Sequence, residues 1–316
     1  MKKGKMKKLL VLMLSLVMLM SLAACGESSP EQTENDATAS NNDSSKTGVE
    51  YRVSKESHCK NDGSVSEWYE YEYSANGNKV KETRYGTGGK KLLWYEYEYD
   101  TNDNITKETS YYSSGSVSGW REYKYNSNGN MIKKASYDSD GNTKDWYEYE
   151  YDTNGNMIKE KEYDADGSMM NWSEYEYDAN GNELKFTKYK SDGSKNHWYE
   201  NKYDANGNKI KETWYYSDGS INYWDEYEYD ASNNMVKEDR YNADGSINHW
   251  KEYEYDANGN KTKDTYRLSS GTINYWDEYE YDVNGNMIKE KNCYYDANDD
   301  IRIGSWIEYE YIAINN

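Results

Sequence analysis

From Tyr51 to Tyr311 the chain alternates aromatic and acidic residues with a period of two, as in Glu252-Tyr253-Glu254-Tyr255-Asp256. That spacing sends successive side chains to opposite faces of a strand and does not fit the 3.6-residue period of a helix. The alternation is itself repeated. Trp68, Trp94, Trp120, Trp146, Trp172, Trp198, Trp224, Trp250 and Trp276 stand 26 residues apart, and a fixed short period marks a supersecondary unit stacked on its own copies.

Counting each Trp as position 0, position 2 is Glu in ten copies (Glu70 to Glu308), position 5 is Tyr in ten (Tyr73 to Tyr311), and position 13 is Lys in nine (Lys81 to Lys289). Two turns punctuate each unit: an Asn-Gly pair such as Asn258-Gly259, and a second glycine turn such as Asp218-Gly219. Asn-Gly between alternating runs signals a two-residue hairpin of type I′, in which both central residues need positive φ. Each unit is therefore expected to be two strands and two tight turns.

Two-residue loops fix a register. Position 0 faces 17, position 4 faces 13 and position 5 faces 12, so Glu254 meets Lys263 and Tyr229 meets Val236. Across the second turn Lys263 also meets Glu278, which puts each lysine between two carboxylates. One face carries tyrosines and aliphatics and the other carries Lys, Glu and Trp-Tyr pairs. Tyr266 and Arg267 break the Trp-to-Tyr pairing, so local irregularity is expected there.

The fold class is thus all-β: a repeat array of about ten two-stranded hairpin units with a 26-residue period. Twenty strands at about 4.8 Å would span about 95 Å if open, and twisted sheets of that size curl. A curled or spiral antiparallel sheet is expected, with the tyrosine and aliphatic face inside.

Composition narrows the class. One Phe stands against 38 Tyr and 11 Trp, so burial comes from rings whose polar tips need partners. The net charge is −20, and five of the lysines fall in the first 24 residues, leaving the remainder more acidic still. Nucleic acid, which demands a basic face, is excluded as a partner.

Residues 1–24 read as a lipoprotein signal peptide: five lysines, an apolar run shorter than a membrane span, and Leu22-Ala23-Ala24 before Cys25. This resembles the bacterial lipobox, which implies a diacylglycerol on Cys25 and a cell-membrane, lipid-anchored, exported protein. Residues 25–50 are polar and free of aromatics, as expected of a tether. Residues 51–316 form the array.

The motifs Tyr-Asp-Ala-Asn-Gly-Asn at 203–208 and 255–260, Tyr-Asp-Thr-Asn-Gly-Asn at 151–156 and Tyr-Asp-Val-Asn-Gly-Asn at 281–286 resemble the YD repeats of the Rhs and teneurin type. The resemblance covers Tyr51 to Tyr311. It implies a hairpin-per-repeat spiral sheet placed outside the cell, and in some members carbohydrate binding or enclosure of a toxin domain. The 26-residue period is longer than the usual YD spacing, and the array has no proline with which to build the motif that closes Rhs cores.

Chemistry-bearing constellations are few. Cys59 and Cys293 lie nine periods apart at position 17, about 86 Å apart in an open sheet, whereas a disulfide needs Cα atoms within about 7 Å. The Asp-rich loops lack the ligand spacing of an EF-hand, and Asp and Asn at turns have backbone reasons of their own. His197 and His249 precede Trp on a strand and lack metal-ligand spacing, so they are expected to be solvated; neither metal nor cofactor is expected. The carboxylates recur identically beside a lysine, so no pair has the contrasting environments of an acid and a base, and no enzymatic activity is expected. The nine-tryptophan row from Trp68 to Trp276 is the candidate binding surface, for glycans, a cell-wall polymer or a surface protein. Against that stands simple packing of each Trp on its cross-strand Tyr and neighbouring lysine. The expected function is a surface-anchored, non-enzymatic scaffold binding carbohydrate or neighbouring envelope proteins; the alternative is a structural spacer or shell with no ligand of its own.

Overall fold

The protein was analysed as a computed structural model, which describes residues 49–315. Cys25 and the tether fall outside the described residues. Twenty strands, β1 to β20 in chain order, each pair antiparallel with the next. The one helical element among the described residues is a 3-10 turn at Thr87–Gly89.

The hairpin of β16 (Ile247–Tyr255) and β17 (Lys261–Leu268) shows the local rule. Trp250 pairs with Arg267 and Glu254 with Lys263, as the alternation requires. The loop differs from expectation. Gly259 N–H donates to the Asp256 carbonyl at 3.1 Å and Asp256 N–H to the Asn260 carbonyl at 2.9 Å, and within the loop only Gly259 has positive φ, at 85°. This is a three-residue loop, a type I turn followed by one left-handed residue, and not a two-residue type I′ turn. The Asp256 carboxylate stabilises it: Oδ1 accepts the N–H groups of Asn258 (2.8 Å) and Asn260 (2.9 Å), and Oδ2 accepts the Asn260 amide (2.9 Å). These bonds, the Asn260 side chain first, hold the Asp256 carboxyl below its ordinary pKa.

The extra loop residue shifts the register by one, and a bulge shifts it back. After Glu254 opposite Lys263 the ladder resumes at Tyr255 opposite Lys261, leaving Thr262 as the bulged residue. Tyr229 accordingly faces Met235 and not Val236. The second turn repeats the device. Between β17 and β18 (Ile273–Tyr281), Tyr266 faces Tyr275 and then Arg267 faces Ile273. Tyr266 and Arg267 therefore occupy ordinary ladder positions, and the irregularity expected of them is absent, because every repeat has a bulge at that point.

The net register decides the shape. Glu252 faces Thr265, which faces Trp276, two positions before Glu278, the counterpart of Glu252. Each repeat advances the sheet by two residues. Ten repeats around twenty strands give a shear of about 20, which sets a strand tilt of about 35° and, for a regular barrel, a diameter of about 37 Å. The sheet closes: β1 (Val49–Lys60) pairs with β2 (Val65–Tyr73) on one side and with β20 (Ile301–Asn315) on the other. At this seam Lys55 lies between Glu70 and Glu310, like the lysine of most repeats, and binds Glu310 at 2.7 Å. The expected spiral is thus a barrel, because a uniform step with equivalent end strands lets the last edge pair with the first. The final unit, with Trp306 thirty residues after Trp276, lengthens both hairpin strands and keeps Lys289 opposite Glu308.

Closure also relocates the cysteines. Cys59 of β1 faces Trp306 and Cys293 of β19 (Met287–Tyr295) faces Ile303, so both flank β20. Both are free thiols, separated by one intervening strand and not by the length of an open sheet.

In three loops Asp103, Asn233 or Asp299 holds the positive φ that Gly259 holds here. Gly259→Ala should therefore cost about 1 kcal/mol, and Gly259→Asn less, measured as urea midpoints of the two variants.

Candidate functional site

The two faces of the wall separate by exposure. Position-14 acids (Glu56, Glu82, Glu108, Glu212, Glu238 and Asp264) have side chains 14–23% exposed, whereas position-2 glutamates such as Glu148, Glu200 and Glu308 are 42–49% exposed. The first set is on the concave face and lines the lumen, and the second, with the tryptophans, lies outside.

On the outside, each predicted Trp sits where the register placed it. Trp68, Trp94, Trp120, Trp146, Trp172, Trp198 and Trp224 stack on a cross-strand Tyr at 4.9–5.2 Å between ring centroids. The preceding repeat's lysine stands over several of these rings, for example Lys211 over Trp224 at 4.7 Å. In Trp68, Trp94, Trp120, Trp224, Trp250 and Trp276 the indole N–H donates to the position-2 carboxylate, as from Trp224 to Glu226 at 3.2 Å. That carboxylate in turn binds the lysine, with Lys211 to Glu226 at 2.7 Å. Trp250 lacks a Tyr partner and faces Arg267, which binds Glu252 at 2.8 Å. Trp276 packs at a tilt on Tyr295 and is the most buried of the row. These rings form one outer belt, and tyrosine and lysine side chains lie against their faces.

The lumen wall was less visible in the sequence. Position-3 tyrosines donate to the position-14 acid of the preceding repeat: Tyr71 to Glu56 (3.1 Å), Tyr253 to Glu238 (2.8 Å), Tyr279 to Asp264 (2.8 Å). Lysines at position 11 join them. Lys261 binds Asp264 at 2.8 Å and stands over the Tyr279 ring at 4.4 Å. Burial, then the facing carboxylates, pushes the phenols of Tyr71, Tyr97, Tyr123, Tyr149, Tyr175, Tyr227, Tyr253, Tyr279 and Tyr309 far above the ordinary value. Burial likewise raises the carboxyl pKa of Glu160 and Glu290. The tyrosine ring is interrupted by Asn201, whose amide donates instead to the Glu183 carbonyl at 2.9 Å.

The aliphatics of position 12 do not join the lumen. The bulge turns them outward: Ile132, Ile158, Leu184, Ile210 and Ile288 are 37–39% exposed, and Leu184 lines an outer cavity with Lys185, Glu200 and Tyr215. His197 and His249, expected to be solvated, are half-buried on the inner face. They pack on Trp214 at 5.7 Å and Tyr266 at 4.8 Å, and burial lowers both pKa values. The turn aspartates spend their oxygens on their own loops.

The fold defines a closed all-β repeat barrel. A family model described as a protein of unknown function, DUF2963, matches residues 111–162, 163–214 and 189–237. No curated protein matches the sequence. Among solved structures, the chain is similar to the Photorhabdus luminescens Tc holotoxin pore at 14% identity, over 73% of this chain and 13% of that one, with a TM-score of 0.42. It is similar to TcdB2-TccC3 without its hypervariable C-terminal region at 12% identity, over 77% and 16%, with a TM-score of 0.39. A porin-like protein from Bacteroides uniformis is 11% identical over 82% of this chain and 98% of that one, with a TM-score of 0.40. The chain spans less than a fifth of either Tc toxin chain.

The inner phenols give a pH prediction. Their folded pKa lies above the unfolded value near 10, so the stability they contribute is complete below pH 10 and is lost as pH rises beyond it. Urea midpoints should fall above pH 10. Phenolate absorbance should lag behind that of the urea-unfolded chain, with a fraction appearing only as the barrel unfolds.

Proposed function

We propose that this chain is a non-enzymatic scaffold, tethered to the exported face of the membrane through a lipid on Cys25, that binds carbohydrate or a neighbouring surface protein at its lumen wall. The observation behind this choice is the division of the faces. The outer tryptophans are already covered by Tyr and Lys, whereas the concave wall repeats phenol rings beside carboxylates and lysines. Rings offer stacking faces to a sugar or peptide, and the paired charges offer donors and acceptors.

The outer face supports the tethered arrangement. It carries ion pairs such as Lys159 with Glu174 and Lys185 with Glu200, and each Lys facing lipid at the bilayer centre would cost about 2–4 kcal/mol. A barrel standing in water on a lipid anchor avoids that cost. The repetition of one charge arrangement in every unit supports a binding or structural role over catalysis, which needs an acid and a base in contrasting environments. The width of the barrel favours a second reading, a spacer or shell without its own ligand.

Glycan-array and peptidoglycan pull-down assays on the mature chain test the choice. Retention by a polysaccharide, weakened about tenfold in Tyr149→Ala/Tyr175→Ala and unchanged in Trp146→Phe, supports lumen binding. An intact barrel that no polysaccharide or envelope protein retains selects the shell.

A further inference from the structure

Ten near-identical units make a wall, and a specific site needs a place where the repetition fails. On the inner face, position 16 is usually filled by a large side chain lying against the rings of the flanking strands. Arg84 lies over Tyr69 at 5.8 Å, Trp214 lies between Tyr199 at 4.7 Å and Tyr223 at 5.8 Å, Arg240 lies over Tyr223 at 4.3 Å, and Tyr266 stacks on Tyr275 at 5.1 Å. In two consecutive repeats that filler is a serine, Ser110 and Ser136; on the intervening strand Gly119 faces Ser110, and Arg121, two residues on, faces Ser136. Gly119 stands where Tyr223 and Tyr275 stand in other copies. A Cβ there would meet the Tyr137 carbonyl oxygen at 2.5 Å, so the gap cannot be filled from that position.

The result is a cavity of about 310 Å³ spanning β4 (Lys90–Tyr99) to β8 (Thr143–Tyr151), lined by Tyr95, Glu108, Ser110, Gly119, Arg121 and Asp145 among others. Its size falls at the lower end of small-molecule sites, about 300–1,000 Å³. Tyr95 faces Ser110 across the ladder as Tyr199 faces Trp214, so the cover that Trp214 gives Tyr199 is missing from Tyr95. Around that ring the polar groups are of both kinds. Glu108 accepts from Arg121 at 3.2 Å and from Tyr123 at 3.2 Å, and Ser110 donates to the Gly119 carbonyl at 2.9 Å. Two acids, Glu108 and Asp145, are offset by two bases, Arg121 and Lys144, in the lining.

Resting on the lumen-binding reading, we propose that this notch is a specific site for a neutral saccharide of one or two units. The ring of Tyr95 would stack on the sugar face, while Glu108, Arg121 and the Ser110 and Ser136 hydroxyls would bond its hydroxyl groups. A charge-balanced lining with mixed donors and acceptors suits a neutral polyol better than a cation or an anion.

The test uses the mature chain and four probes: cellobiose, maltose, N,N′-diacetylchitobiose and L-arginine, each followed by saturation-transfer NMR and calorimetry. Ser110→Trp installs the side chain that Trp214 supplies elsewhere and should fold with an unchanged thermal midpoint. It should weaken disaccharide binding by about tenfold or more, as should Tyr95→Ala, whereas Ser110→Ala, which removes one hydroxyl and leaves the notch open, should weaken it by less than Ser110→Trp does. Equal binding by Ser110→Trp, binding of arginine only, or binding of none of the disaccharides would each overturn the notch. Polysaccharide retention that survives Ser110→Trp but fails in Tyr149→Ala/Tyr175→Ala would leave lumen binding standing without the notch.

Discussion

The structure depends on one register constraint: each repeat moves the sheet by two residues and no other number. A three-residue loop contributes a shift of one, the bulge beside it reverses that shift, and the same pair of events occurs at both turns. Because the step is uniform, ten repeats return the last strand to the first with Lys55 between two carboxylates, and no sheet edge is left unpaired among the described residues. The Tyr-Asp pair of each motif serves this constraint. The Asp caps the loop from inside it. The Tyr hydroxyl reaches into the preceding repeat, past the end of the ladder at Lys81 and Glu96 in one case, and donates to a carbonyl there, as from Tyr99 to Lys79 at 2.7 Å. The same bond recurs from Tyr73 to Tyr311.

A wall built this way does not need an aliphatic core. Apart from Trp276, the buried residues are small or polar, such as Thr83, Thr187, Thr213 and Thr265, set beneath the aromatic and charged rows. The outer ion pairs are half-exposed and contribute little each, within about 1 kcal/mol. Backbone ladders, Trp-Tyr stacks and tyrosine-to-carbonyl bonds, repeated ten times, carry the stability. Function then has to come from the concave face, where rings and carboxylates converge, or from a departure from the repeat such as the serine and glycine gap at 110–136.

Much of this was legible in the sequence. Lysines and glutamates repeated at fixed offsets were enough to place Lys263 between Glu254 and Glu278, and Trp opposite position 17. The loop type was not, because Asn-Gly fits both a type I′ turn and a type I turn with a left-handed glycine, and Asp103 and Asn233 show that one positive φ suffices. Missing the loop meant missing the bulge, and with it the outward turn of Ile132, Ile158 and Leu184. Closure was hidden for another reason. Pairing Lys263 with both Glu254 and Glu278 already contains the two-residue step, but whether the last strand meets the first depends on the curvature of the whole sheet, and this is why Cys59 and Cys293 were placed far apart. The lumen notch could have been found from the sequence by asking which copies carry Ser or Gly where others carry Trp, Arg or Tyr.

The central claim, a closed ring of ten repeats, is most directly tested by one distance. Spin labels at Ala75→Cys and Val283→Cys, both in exposed first-turn loops, with Cys59 and Cys293 replaced by Ser, report on repeats one and nine. A closed barrel places these loops about 20–25 Å apart, whereas an open sheet separates them by about 77 Å. A double electron–electron resonance distribution centred near the shorter value is the predicted result, and one centred near the longer value would contradict closure and the lumen with it.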